Sequence, residues 1–201
     1  MLNPRMCYAG ILVRGLNAEN KWESLKNKVT ESQCDVVCLQ ETKKENFDIL
    51  FIKLFCPCSF DSFCFIPSVG ASGGILIIWK SSIFAGIEIF KNGYALLVEF
   101  TSCHDNSYWV LTNIYGPCDA DGKRAFLEWF GNIQMPDDIC WLVVGDFNLL
   151  RKPENKNRPG GNASQSFFLM KPLALLVWRK YLCMEESSHG QISSNHLCLR
   201  D

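Results

Sequence analysis

The sequence predicts an α/β fold in which helices cover a mixed sheet or sheets in layers. Amphipathic helical periods flank a strand-rich middle on both sequence sides, and the apolar runs, such as Ile75 to Trp79 and Trp141 to Val144, are strand-sized. With 48% hydrophobic and 20% charged residues among 201, the chain has the composition of one compact domain that can bury a core.

Ile11 to Val13 reads as the end of a short strand. Asn17 is a good N-cap, and Trp22, Leu25 and Val29 recur at helical spacing with Glu19, Lys21, Lys26 and Lys28 between them, so a helix is expected through about Gln33. Asp35 to Gln40 follows as a strand. The stretch from there to Pro67 is rich in aromatics and Cys without a clear period, and reads as a loose helix or loop. Gly73-Gly74 then opens a series of strands: Ile75 to Lys80, Ile83 to Phe90, Ala95 to Thr101 and Tyr108 to Ile114. They are separated by Ser81-Ser82, by the hairpin dipeptide Asn92-Gly93 and by Asp105-Asn106. A helix from about Asp121 to Asn132 presents Ala125, Phe126, Trp129 and Phe130, and a buried strand from Cys140 to Val144 follows. Ser187 to Asp201 shows neither period.

A net charge of −1 argues against holding nucleic acid by a global positive field, so such binding needs local patches or a bridging metal. No segment is long and apolar enough to span a bilayer, and the first ten residues lack the apolar stretch of a secretory signal. A nuclear or cytoplasmic setting, without secretion or membrane partner, is therefore expected. Eleven cysteines, an odd number without a CxxC pair and mostly in apolar runs, read as buried thiols and not as disulfides or zinc ligands.

Three strands end alike, in Gln40-Glu41, in Asn113-Ile-Tyr115 and in Gly145-Asp146-Phe-Asn148. Apolar strands that stop on carboxylates and amides carry those groups to one rim of a sheet, where Glu41, Asp146 and Asn148 form an oxygen set suited to Mg²⁺ or Mn²⁺. Gly145 permits a tight turn before Asp146. Basic residues follow two of these ends: Lys43 and Lys44 after Glu41, and Arg151, Lys152, Lys156 and Arg158 after Asn148. A carboxylate-held divalent ion beside Lys/Arg loops suits a phosphodiester. The structural alternative is that the acidic residues cap turns and the basic loops are merely solvated.

The stretches Val13-Arg-Gly-Leu-Asn17, Asp35-Val-Val-Cys-Leu-Gln-Glu-Thr-Lys43, Ser72-Gly-Gly-Ile75 with Trp79, Asn113-Ile-Tyr-Gly-Pro117 and Trp141-Leu-Val-Val-Gly-Asp-Phe-Asn148 occur in that order. Together they resemble the endonuclease/exonuclease/phosphatase superfamily, most closely the endonuclease domain of plant LINE-type retrotransposon polyproteins. The resemblance spans about residues 10 to 162 and divides the chain into an endonuclease-like domain, 1–162, and a divergent tail, 163–201. It implies a four-layered α/β sandwich of the DNase I-like kind, incomplete at the C-terminus, that cuts DNA by metal-assisted attack of water. Carried onto this chain, it makes Glu41 the principal Mg²⁺ ligand. Asp146 would also face the metal and would orient or deprotonate the water. Asn148 would hold the scissile phosphate, Tyr115 would contact the phosphate or leaving group, and Asn113 would support them at the same rim. Lys43, Lys44, Arg151 and Lys152 would contact DNA.

Two departures lower the expected activity. Where the family has Trp-Asn, this chain has Ile11-Leu12, and an aliphatic side chain neither donates nor accepts a hydrogen bond. The family's downstream Ser-Asp-His element is matched only by Ser194-Asn195-His196, too close to Asn148 for the intervening strands, so His196 is not expected to act. The resemblance thus implies a retrotransposon-derived, endonuclease-like domain of weak or absent activity, its C-terminal part replaced through a frameshift or aberrant splice. Uncovered apolar surface beside Leu173 to Trp178 would make it poorly soluble. The alternatives are a non-catalytic nucleic-acid or protein-binding remnant, and a phosphoesterase acting on a small phosphorylated molecule or lipid headgroup.

Overall fold

The computed structural model describes residues 8–149, apart from Ala71 and Asp137, and the backbone of Ser194–Cys198. The described elements are β1 (Tyr8–Leu12), α1 (Asn20–Ser32), β2 (Val36–Gln40), α2 (Ile49–Phe55), β3 (Ser62–Ile66), β4 (Ile75–Trp79), β5 (Phe84–Lys91), β6 (Ala95–Ser102), β7 (Tyr108–Tyr115), α3 (Ala120–Asn132), β8 (Cys140–Asp146) and β9 (Ser194–Cys198). One sheet has the order β3-β4-β2-β1-β9 and the other β5-β6-β7-β8. Both are mixed: β1 runs parallel to β2 and β9, and β7 parallel to β8, while the remaining pairs are antiparallel.

The alternation of side chains along each strand builds the layers. Val36 and Cys38 of β2, Ile75, Ile77 and Trp79 of β4, Leu96 and Val98 of β6, and Leu111 of β7 meet between the sheets. The intervening Val37, Leu39, Leu76 and Ile78 face outward onto Leu25 and Val29 of α1 and Ile52 and Phe55 of α2. On the far side, Leu97, Val110, Ile114 and Trp141 receive Phe126 and Phe130 of α3. The four layers are thus helices, sheet, sheet and helix, the DNase I-like α/β arrangement.

Several boundaries differ from expectation for physical reasons. The first helix starts at Asn20 and its N-cap is Glu19. Asn17 is not the cap, because Gly15 N donates to Glu41 O and Leu16 N to Thr42 O, which keeps this segment stitched to the continuation of β2. The region before Pro67 contains both α2, whose N-cap Asp48 accepts from Phe51 N at 2.8 Å, and β3. Every position of β3, an edge strand, is half-buried, so no alternation marks it. In α3 Ala125 is exposed, while Phe126 and Phe130 are buried. Asp119 caps this helix by accepting from Gly122 N at 2.7 Å. The expected Asn92 turn is present, with Asn92 Oδ1 accepting from Tyr94 N and Ala95 N.

The thiol expectation holds for Cys34, Cys38 and Cys56, which are buried, and burial pushes the Cys38 and Cys56 thiols up. Cys58, Cys103 and Cys118 are exposed, because they sit in connecting segments and not inside the apolar runs. β9 forms where the sequence shows no strand period, lying beside β1 with Gly10 opposite His196. The proposed boundary at 162, Leu173 to Trp178, and Arg151, Lys152, Lys156 and Arg158 lie outside the described residues. Among the described residues, no helix is long and apolar enough to cross a membrane.

Candidate active site

The C-terminal ends of β2, β7 and β8 open at one mouth between the two sheets. β8 lies parallel to β7 with Tyr115 opposite Asp146, so the ladder itself brings these two residues side by side. Beyond the ladder, Gly116 N donates to Asp146 O at 2.7 Å, Asn148 N donates to Asp146 Oδ1 at 2.9 Å, and Asn148 Nδ2 donates to Gly116 O. These bonds fix Asp146 and Asn148 against the Tyr115–Gly116 turn. Glu41 comes from the opposite sheet, directly after Gln40 at the end of β2.

Glu41, Lys43 and Asn148 have left-handed backbone, with φ of 57°, 54° and 51°. Such a conformation costs a residue other than glycine on the order of 1 kcal/mol and persists only where surrounding bonds impose it. Here Gly15 N donates to Glu41 O and Lys43 N to Gly73 O, holding the segment from both sides. Among the described residues, three of the six non-glycine positions with positive φ lie at this mouth, the others being Arg14, Gln33 and Asn106.

Tyr115 reports the electrostatics. Its phenol is pushed up to about 12, first by burial, then by the Glu41 carboxylate, the Cys118 thiol and the Asp146 carboxylate, while a hydrogen bond with the Asn148 side chain opposes them. Glu41, Tyr115, Asp146 and Asn148 therefore share one field, and at neutral pH Tyr115 remains a hydroxyl able to donate to an anion. The sign for stability follows. A folded-state value above the ordinary 10 contributes stability present below pH 10, which is lost as pH rises towards 12. Between pH 10 and 12 the parent protein is thus expected to lose more stability than Tyr115→Phe. Urea denaturation across that interval would test this, and parallel losses in the two proteins would refute it.

Asn113 is placed differently from the open cluster. It is fully buried between the sheets, accepts from Gln40 Nε2 at 2.6 Å and donates to Leu39 O and Leu76 O. Lys43 Nζ lies 3.2 Å from Glu41 Oε1, an ion pair that the sequence reading did not foresee although only Thr42 separates the two. Cys118 was also missed, despite following Tyr115 by three positions. The alternation of β1 places Leu12 on the inter-sheet face with Tyr8, opposite Gln40 in register, so an aliphatic group stands beside the mouth. His104 lies just after β6 and before β7, at the other end of β7 from Tyr115.

The donor set suits a hard cation. Lys43 already brings a positive charge to Glu41, and Asp146 is the second carboxylate whose field reaches Tyr115. Mg²⁺ commonly keeps several waters and takes one or two protein carboxylates, the number that Glu41 and Asp146 could offer. Among the described residues no group of three His, Cys, Asp or Glu side chains could hold a metal.

The sequence model described as the endonuclease/exonuclease/phosphatase family matches residues 13–172. Among solved structures, the endonuclease domain of TRAS1, a telomere-specific non-LTR retrotransposon, is similar with a TM-score of 0.58 at 14% identity, over 86% of this chain and 73% of that one. The APE2 catalytic domain of Xenopus laevis gives a TM-score of 0.57 at 18% identity, over 85% and 67%. The AP endonuclease LMAP of Leishmania major gives 0.53 at 17% identity, over 90% and 68%. At such identities these likenesses concern the fold alone. Curated protein sequences give no match.

Proposed function

The chain belongs to the endonuclease/exonuclease/phosphatase family, and from that premise we propose that its mouth is a DNA phosphodiester-cleaving site of reduced activity, descended from the endonuclease domain of a plant LINE-type retrotransposon. The observation that carries the reading is the convergence of Glu41 from one sheet with Tyr115, Asp146 and Asn148 from the other, beside Lys43 and Lys44. The motifs Leu39-Gln-Glu-Thr-Lys43 and Asn113-Ile-Tyr-Gly-Pro117 favour the retroelement branch.

In this reading Asp146 accepts a proton from the attacking water while its carboxylate is held by Asn148 N. Tyr115 and the Asn148 amide donate to the phosphate, and Lys43 and Lys44 attract neighbouring phosphates. Family members generally depend on a divalent metal. Glu41 and Asp146 would hold it here, and it would supply positive charge against the negative charge that develops on the phosphoryl oxygens. Leu12 adds nothing to this network, so the site lacks a hydrogen-bonding member.

Supercoiled-plasmid nicking tests the reading. Slow Mg²⁺-dependent nicking is expected, lost in Glu41→Ala and Asp146→Ala and raised about tenfold or more by Leu12→Asn, the gain of roughly one strong buried hydrogen bond. Nicking that survives both alanine variants would sink the site assignment. Salt-dependent DNA binding without any nicking, Leu12→Asn included, would favour a binding remnant instead.

A further inference from the structure

Next to Glu41 lies a pocket of about 540 Å³ lined by Asn17, Lys43, Lys44, Glu45, Asn46, Ser68 and Gly70. It is polar: two lysines and the exposed Glu45 line it, with the Lys43 ammonium paired to Glu41 and the Lys44 ammonium 4.2 Å from the centre of the Phe51 ring. Ser68 in its wall is only 6% exposed, and its hydroxyl has no hydrogen-bond partner. The neighbouring Thr42 hydroxyl, also buried, has none either. Buried hydroxyls left without partners are costly, and a ligand oxygen reached by rotation of the Ser68 side chain would relieve one of them.

Lys43 belongs to this pocket and to the carboxylate site at once: it lines the former and its Nζ lies 3.2 Å from Glu41 Oε1 in the latter. Its backbone is fixed, with Lys43 N donating to Gly73 O at 3.0 Å and its carbonyl accepting from Asn17 Nδ2. Its stem crosses Gly15, where an added Cβ would sit 3.3 Å from Lys43 Cδ. The Lys43 side chain is partly exposed, 34% against 21% for Glu41. An anchored backbone with a long, partly solvated side chain leaves the charged end free to exchange partners.

We propose that Lys43 is a shared cation: in the free protein it neutralises Glu41, and a nucleic-acid phosphate seated in the adjoining pocket draws it away, so that phosphate binding and divalent-cation binding at Glu41 reinforce each other. The inference rests on the nuclease reading of the same mouth, but adds a coupling that reading does not require. A single ammonium cannot fully satisfy a carboxylate and a phosphate together, and a divalent ion at Glu41 is repelled by an ammonium left there. The coupling is reciprocal: whatever factor the phosphate gives to cation affinity, the cation returns to phosphate affinity.

The test measures Mn²⁺ binding from the loss of its free electron paramagnetic resonance signal, with and without a 12-base-pair DNA duplex, whose own affinity is followed by fluorescence anisotropy. Lys43→Met is expected to bind Mn²⁺ about three- to fivefold more tightly than the parent chain in the absence of DNA, the scale of a partly exposed ion pair. The enhancement that DNA gives to Mn²⁺ binding should shrink by the same factor in that variant. Lys43→Arg, which keeps the charge, should retain the parent behaviour, and Lys43→Gln serves as a second neutral variant should methionine perturb folding. Equal Mn²⁺ affinity in the parent and both neutral variants, or an unchanged DNA enhancement, overturns the proposal. A parent chain that binds Mn²⁺ no better than Glu41→Gln overturns the metal-site reading, and the coupling with it.

Discussion

Gly145→Ala is expected to cost about 4 kcal/mol or more and to abolish the native fold under ordinary conditions, since among the described glycines it is the one whose added Cβ would meet the closest contact. Gly145 has φ of 126°, outside the reach of residues bearing a side chain, and a Cβ there would fall onto the backbone carbonyl oxygen of Ile114. Ile114 is its register partner in the β7–β8 ladder, so relief would require parting the two strands that align Tyr115 with Asp146. The strain and the overlap cannot be repaired by a rotamer change, because both atoms involved are fixed by the backbone. Gly131→Ala provides the contrast. That residue is exposed near the end of α3, an added Cβ meets nothing within 4 Å, and alanine is the better helix former by about 0.5–1 kcal/mol. Circular dichroism with thermal denaturation of the two variants checks both, and a Gly145→Ala protein with the parent midpoint would contradict the argument.

The strands of the middle were legible because each is long enough, and bounded sharply enough, to declare itself. Asn92-Gly93 marks the turn between β5 and β6, and the apolar run at Ile75 is buried on both faces between helices and sheet. The strand ends Glu41, Tyr115 and Asp146 could be gathered on one rim from sequence, since all follow apolar runs. What sequence could not supply was the depth of each residue. Asn113 has the same kind of side chain as Asn148, yet strand alternation sends it inward, between the sheets. The start of α1 was misplaced because the bonds that delay it come from Glu41 and Thr42, distant in sequence. β3 stayed hidden because an edge strand with every residue half-buried has no period to read. The partnership of Lys43 with Glu41 depends on left-handed backbone at both positions, a conformation that their residue types give no reason to expect.

Asn113→Ala is expected to destabilise the protein by about 3 kcal/mol, although the residue touches nothing in the open mouth. It is fully buried and its amide makes three hydrogen bonds, to Gln40 Nε2, Leu39 O and Leu76 O. Through them one side chain on β7 grips β2 and β4 of the other sheet. Alanine removes all three and strands the side chain of Gln40, a residue only 2% exposed, with a long 3.4 Å bond to Cys38 O. The cost is dominated by what is left unpaired, and that has a distinctive consequence. If Gln40 is also made apolar, as in Asn113→Leu with Gln40→Met, the pair should lose less than the sum of the two single losses, because the second change removes a polar group that the first had orphaned. Additive losses would mean that the 2.6 Å bond carries no coupling. Because Gln40 immediately precedes Glu41, slack in this clamp would reach the carboxylate from beneath.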